Sequence, residues 1–314
     1  AVFDISTSTP SLTGFVVLST SFSTPNYSHR MDVAGNYAYI AGSKNSMLAL
    51  NVIDISNPAE PKLVFDKEIV RGGSSEQNVR ISGSRMYVTE TNGTIYVFDI
   101  SKPSNPVPLS SISISAYNRD LAVQGNYGYL TNSTYGLAII DFSTSTPSLV
   151  GVASTSDVGT SPRGVAVAGS YAYVVNMAAG GSLSVVDVSV PSRPRVVGSA
   201  ASRYTPTMVS VVGRYAYVGT QANVEIFDVA NPLVPRKIYE INTIEDGNGD
   251  AAPQVVGDKL FITGSGVHRF YTLILRKPIF RLPLLVNSLQ VTSMLCKMLR
   301  CTTRFRSARA SMWV

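Results

Sequence analysis

Short apolar runs alternate with clusters of Gly, Ser, Asn and Pro along most of the chain, and one run returns at a nearly fixed interval. It is an apolar strand ending in Asp: Val2-Phe3-Asp4-Ile5-Ser6, Val52-Ile53-Asp54-Ile55-Ser56, Val97-Phe98-Asp99-Ile100-Ser101, Ile139-Ile140-Asp141-Phe142-Ser143, Val185-Val186-Asp187-Val188-Ser189 and Ile226-Phe227-Asp228-Val229-Ala230. The successive Asp spacings are 50, 45, 42, 46 and 41 residues. A second landmark, Gly followed four positions later by an aromatic, recurs in phase at Gly35/Tyr39, Gly83/Tyr87, Gly125/Tyr129, Gly169/Tyr173, Gly213/Tyr217 and Gly257/Phe261. Six units of about 44 residues result.

Each unit reads as four short strands. In the unit beginning at Arg163 the runs are Gly164 to Ala168, Tyr171 to Val175, Leu183 to Val188 and Arg195 to Gly198, set apart by turn residues. Alternation and aromatic content mark β-structure, and helical spacing with caps is absent from the body. Four antiparallel strands per 40 to 50 residues is the period of a β-propeller blade, whereas an elongated solenoid needs shorter repeats. The expected fold is all-β, a β-propeller of four-stranded blades with six visible repeat units and six or seven blades. Residues 1–271 form the propeller, and residues 272–314 an atypical basic tail.

The repeated Asp invites a catalytic reading, but Ser and Pro follow it, as in Asp54-Ile55-Ser56-Asn57-Pro58 and Asp99-Ile100-Ser101-Lys102-Pro103. A carboxylate there accepts nearby backbone N–H groups and ends the third strand, while Pro blocks further pairing. Six equivalent copies also favour a structural role, because active sites break repeat symmetry. The tyrosines after Gly read as packing between blades with a hydroxyl at the edge. Leu183-Ser184-Val185-Val186-Asp187 and Leu137-Ala138-Ile139-Ile140-Asp141, each followed by Ser and a downstream Pro, resemble the LVIVD-repeat family over residues 1 to about 263. The resemblance implies a β-propeller, often in exported or surface proteins, with no well-assigned activity. The units depart from the name string at several letters, and the tail departs altogether.

Composition agrees with a folded, turn-rich protein: 45% hydrophobic, 15% charged, 24 Gly and 17 Pro in 314 residues. The net charge of +6 hints at an anionic partner until its placement is considered. Residues 276–314 hold eight basic side chains and no acid, leaving residues 1–275 with 18 basic and 20 acidic, or −2. Cys296, Cys301 and Trp313 also lie in this tail, so the body needs neither disulfide nor thiol chemistry. Residue 1 is Ala inside an apparent strand, which reads as a processed or fragmentary N-terminus. The stretch Pro278 to Leu295 is broken by Arg281, Pro283, Asn287 and Gln290, so no transmembrane segment is expected.

After Phe261-Ile262-Thr263 the next Asp is due near position 272, yet the repeat vanishes. A shift of reading frame near residues 268 to 273 accounts for this: in the neighbouring frame, residues 272 to 277 permit V-D-I-S-K and residues 295 to 301 permit Q-D-V-A-V. Residues from about 270 onward then read as an out-of-frame version of a further blade, because the tail contradicts an otherwise consistent pattern. The alternative is a real basic extension for an anionic surface. As written, the strands near Gln254 to Thr263 are expected to join Ala1 to Ile5 and Leu12 to Leu18 and close six blades; in the corrected frame the ring closes at seven.

The first strand of each propeller blade lines the channel, and the loops leading into it form a rim where ligands sit. Six residues before each landmark Gly stand His29, Gln77, Arg119, Arg163, Thr207 and Ala251; five before stand Arg30, Asn78, Asp120, Gly164, Met208 and Ala252. The polar cluster of His29, Arg30, Asn78, Arg119, Asp120 and Arg163 is suited to a carboxylate, sulfate or acidic sugar held by bidentate Arg contacts; the plainer reading is a solvated rim. His29 beside Asp120 is a candidate general base. Asp246, Asn248 and Asp250 alternate as calcium ligands do, but Ala251 and Gly257 stand where a calcium hand needs Gly and Glu, so calcium is only a weak candidate cofactor and no other is expected. Two histidines, His29 and His268, do not suggest zinc. Phosphate-cradling loops, a G-x-S-x-G elbow and a basic nucleic-acid patch in the body are absent from the sequence.

The sequence therefore reads as a non-catalytic binding or interaction scaffold, exported or surface-displayed, with its ligand at the channel rim. Its partner is an unidentified protein, a glycan or a small anionic ligand, not nucleic acid, and the chain is a monomer or part of a larger surface protein. The alternative is a propeller hydrolase or lyase using the same rim.

Overall fold

The computed structural model describes residues 1–4, 11–18, 31–44, 47–71, 77–114, 117–178, 180–242, 251–264, 269–274 and 290–293. His29, Arg30, Asp246, Asn248, Asp250, His268 and both cysteines lie outside the described residues.

Strands follow one another in antiparallel pairs. A two-stranded sheet, β1 (Val2–Asp4) and β2 (Ser11–Gly14), precedes six four-stranded sheets, each built from consecutive strands. Blade 1 is β3 (Met31–Ala34), β4 (Tyr37–Lys44), β5 (Met47–Asp54) and β6 (Lys62–Arg71). Blade 2 is β7 (Gln77–Ser82), β8 (Arg85–Glu90), β9 (Thr94–Asp99) and β10 (Val107–Ser113). Blade 3 is β11 (Asn118–Gln124), β12 (Tyr127–Asn132), β13 (Gly136–Asp141) and β14 (Ser148–Ala153). Blade 4 is β15 (Pro162–Ala168), β16 (Tyr171–Asn176), β17 (Ser182–Asp187) and β18 (Arg195–Ala201). Blade 5 is β19 (Pro206–Val212), β20 (Tyr215–Thr220), β21 (Asn223–Asp228) and β22 (Arg236–Asn242). Blade 6 is β23 (Ala251–Val256), β24 (Lys259–Gly264), β25 (Arg269–Ile274) and β26 (Gln290–Ser293).

This is the expected all-β propeller architecture, with the first strands of successive blades in contact from β3 through β23. One pairing differs from expectation. The outer edge of β24 is taken by β25, with Lys259 opposite Ile274 and Thr263 opposite Phe270, so residues 251–264 do not complete the N-terminal pair. A strand edge accepts one neighbour, and β24 has its own. The strand β25 also runs across the expected boundary between residues 271 and 272.

The landmark aromatics make the core. Tyr39, Tyr87, Tyr129, Tyr173 and Tyr217 are buried, and each belongs to an apolar cluster that spans its own blade and the next. Burial pushes all five phenols above their ordinary pKa, so they stay neutral. A blade's apolar area is thus removed from water mainly by its neighbour, which is why single units do not stand alone.

The repeated Asp residues end the third strand as their sequence context implies. Oδ1 of Asp54, Asp99, Asp141 and Asp187 accepts the backbone N–H of Ser56, Ser101, Ser143 and Ser189 at 2.7 to 2.9 Å, and Asp228 accepts that of Ala230 at 3.0 Å. Hydrogen bonds from those serines hold the carboxyls of Asp54, Asp99 and Asp187 below the usual carboxylate range; at Asp228 the Arg214 guanidinium does so first. Among the described residues the body also contains one helical turn that the sequence pattern missed, α1 (Thr155–Val158), in the loop between β14 and β15. Its start is fixed by Asp157, whose Oδ2 accepts the Ser154 N–H at 3.0 Å and the Ser154 hydroxyl at 2.6 Å.

Candidate functional site

In β7 and β11 the side chains alternate between two blade faces, so residues five and three positions before the landmark Gly lie on one side. Asn78 and Arg80 of blade 2 share such a face and meet Asp120 of blade 3. Oδ1 of Asp120 accepts Arg80 Nη2 at 2.8 Å, Asn78 Nδ2 at 2.5 Å and its neighbour Leu121 N–H at 3.0 Å. Oδ2 accepts the Val165 N–H of blade 4 at 3.1 Å. One carboxylate, 3% exposed, therefore ties three consecutive blades together around the inner strands. Arg80, whose side chain is 28% exposed, also donates to Asn78 Oδ1 at 2.9 Å.

Asp120 is consequently buried rather than open on the rim, since a buried carboxylate needs its charge and lone pairs met by donors. The residue that meets its charge, Arg80, stands three positions before its Gly, outside the two positions that mark the rim in the sequence. Asp32 in β3 repeats part of the motif, accepting Val33 N–H and, from the next blade, Ile81 N–H, both at 2.8 Å.

Arg119 and Arg163 occupy matched positions at the heads of β11 and β15. Both stand inside a register irregularity, between Asn118 and Leu121 in one strand and between Pro162 and Val165 in the other. Their backbones are linked by buried Thr131, whose hydroxyl accepts Asp120 N–H at 3.0 Å and donates to the Arg163 carbonyl at 2.5 Å. Thr131 and the Asp120 carboxylate thus grip blade 4 on either side of Gly164. A β-carbon on Gly164 would stand 2.8 Å from Met208 Cα, so glycine there lets β19 come close. Arg119 lies over the ring of Tyr117, 5.8 Å from its centre, and Tyr117 is 61% exposed. Arg163 points its Nε at the Met177 sulfur. Arg119 and Arg163 thus stand at matched backbone positions on adjacent blades, on a floor locked by hydrogen bonds.

Two further clefts among the described residues lie elsewhere. One, of about 510 Å³, is lined by Asp187, Ser189, Val190, Ser192, Arg193 and Arg195 at the opposite end of blade 4. Its Ser189 hydroxyl is spent on Asp187 Oδ1 at 2.7 Å, and Arg195 faces Asp187 at 3.6 Å. The other, of about 340 Å³, sits between the rim loops of blades 4 and 5. Among the described residues no group of three or more His, Cys, Asp or Glu is placed to hold a metal ion, and no helix is long and apolar enough to cross a membrane.

Comparison with known proteins agrees with this geometry. The model of the LVIVD repeat matches residues 26–67, 72–113, 116–155, 160–201 and 207–243, each covering all or most of one blade from 1 to 5. Among solved structures, a protein from Lactobacillus plantarum superposes with a TM-score of 0.70 at 13% identity, covering 85% of each chain. A functionally unknown protein from Desulfotomaculum acetoxidans follows at 0.63 and 14%, covering 84% of this chain and 87% of its own. The β-propeller domain of Cps50 (Swd1) from Myceliophteria thermophila gives 0.57 at 11%, covering 75% and 79%. At these identities the likeness concerns the fold alone. No curated protein matches the chain.

Proposed function

Since this chain belongs to the LVIVD-repeat family, a propeller of repeats, we propose that it is a non-catalytic binding scaffold whose rim captures an anionic group. The observation that carries the reading is the pair Arg119 and Arg163, held at matched positions by the Thr131 and Asp120 links. A backbone fixed beneath them limits the freedom the two side chains lose on binding, and guanidinium groups match carboxylate or sulfate oxygens two at a time. An exported or surface location suits a cysteine-free repeat body of this family.

Calorimetric titration with sulfate tests the reading. Arg119→Ala and Arg163→Ala each weaken binding by about tenfold or more, the worth of one charge-assisted contact. Binding that is unchanged in both variants removes the rim pair as a site. The hydrolase or lyase alternative needs a base on the rim, and a turnover assay in which His29→Ala abolishes activity is the result that would favour it.

A further inference from the structure

We infer a second ligand site on the same rim: the cleft between blades 4 and 5 binds a small solute carrying a carboxylate beside hydroxyl groups, such as a uronic acid. It is lined by Gly180, Gly181, Arg203, Tyr204, Thr205, Gln221 and Ala222, none of them part of the Arg119 and Arg163 pair. At about 340 Å³ it lies at the small end of ligand-binding clefts, the size of one sugar ring with a few waters.

The cleft is built rather than incidental. Its wall, the loop from Ser202 to Thr205, is anchored by Glu225, a fully buried carboxylate of β21. Glu225 accepts the Ser202 hydroxyl at 2.6 Å, the Arg203 N–H at 3.0 Å and Lys237 Nζ at 3.0 Å. The Ser202 hydroxyl lies 2.7 Å from the Tyr204 carbonyl, and Thr205 O accepts Gln221 N–H at 3.1 Å, tying the wall to the floor. Gly180, at φ +90°, leaves the opposite side bare, since a β-carbon there would meet nothing within 4 Å.

The lining chemistry selects the ligand. The Arg203 guanidinium lies over the Tyr204 ring, 5.4 Å from its centre, a cation–π contact that leaves its N–H groups available as donors. Its side chain is 67% exposed, and its nearest acid, Glu240, stands at 3.9 Å, too far for a hydrogen bond, and is engaged by Lys237 at 3.2 Å. Arg203 thus keeps donors for an incoming carboxylate. Thr205 and Gln221 supply hydroxyl and amide groups for neighbouring hydroxyls.

The test is calorimetry on the full chain with D-glucuronate and, as the uncharged counterpart, D-glucose. Because the rim pair can itself take a carboxylate, the titrations are made in the Arg119→Ala, Arg163→Ala background, where glucuronate binds at least tenfold more tightly than glucose and adding Arg203→Ala removes that preference. Gln221→Ala weakens both sugars there. Thermal melts confirm that each variant is folded, and if Arg203→Ala does not fold, Arg203→Gln takes its place. Equal affinity for the two sugars in that background, no binding by the wild type, or glucuronate binding that survives loss of Arg203 when Arg119 and Arg163 are also replaced overturns the inference. Loss only in the Arg119 and Arg163 variants also overturns it, while leaving the rim pair standing.

Discussion

Asp120 shows how one side chain serves an assembly of repeats. Its two oxygens collect donors from blades 2, 3 and 4, so removing them takes the carboxylate from Arg80 and the acceptor from the Val165 N–H. Asp120→Ala should therefore destabilise the chain by about 3 kcal/mol, the cost of breaking a buried pair from one side, read as a lower midpoint in thermal or denaturant unfolding. The control is an exposed turn residue, Lys102, whose replacement by Ala should shift the midpoint by less than about 0.5 kcal/mol. The turn carboxylates give a pH signature. Asp54, Asp99, Asp187 and Asp228 have folded pKa values below their unfolded ones, so their stabilisation is present above the unfolded value, about 3.9, and fades as pH falls through the folded values. Melting temperature should hold level from neutral pH towards 5 and drop below 4, and replacing the four with Asn, which still accepts in the turn, should flatten that drop. Turns and core aromatics were legible because each repeats in phase six times, or five, in the sequence. Arg80 was not: it occurs once, at a position where other blades carry Ala122, Ala166, Ser210 or Gln254, and only the shared face with Asn78 reveals its partner.

At the scale of the element, the fourth strand carries a device that no residue type announces. In every blade from 1 to 5 the pairing between third and fourth strands skips one residue at the same place, as at Phe65 and Leu63 or Gly198 and Val196. The pair β1 and β2 has the same skip, with Val2 opposite Gly14 and Phe3 opposite Leu12. Their register is that of a third and fourth strand. Contact with the next blade agrees: a β-carbon on Gly14 would stand 2.3 Å from the Pro58 carbonyl oxygen, just as one on Gly151 or Gly198 would meet those of Pro191 and Pro232 at 2.0 and 2.2 Å. At these three glycines the bulge lies hard against the following Pro turn. Gly198→Ala should cost about 1 to 3 kcal/mol through overpacking, measured by chemical denaturation, whereas Ser199→Ala beside it should cost much less. Sequence alone missed the bulges because a skipped pairing is a property of the backbone, and only three of the six sites carry Gly to mark it.

For the whole molecule, successive blades share apolar clusters and inner-strand contacts, which makes the rim a rigid platform. The half-blade register of β1 and β2 beside six four-stranded sheets also bears on the unusual C-terminal sequence. If residues beyond about 270 are an out-of-frame reading of further blade sequence, translating the encoding DNA in all three frames should restore the strand and Asp pattern and remove Cys296 and Cys301. An intact frame, with a protein mass that matches the sequence as written, would show the basic tail to be real and leave its eight cations as a docking segment. The central claim, that the blades hold Arg119 and Arg163 as an anion site, is tested most directly by melting the wild type and the Arg119→Ala, Arg163→Ala double variant in sulfate and in chloride of equal ionic strength. General salting-out by sulfate raises both proteins alike. Specific binding adds stability only where the site exists, by about 2.7 kcal/mol at a hundredfold excess over the dissociation constant. The account predicts a larger sulfate-dependent rise for the wild type than for the double variant, and equal rises would contradict it.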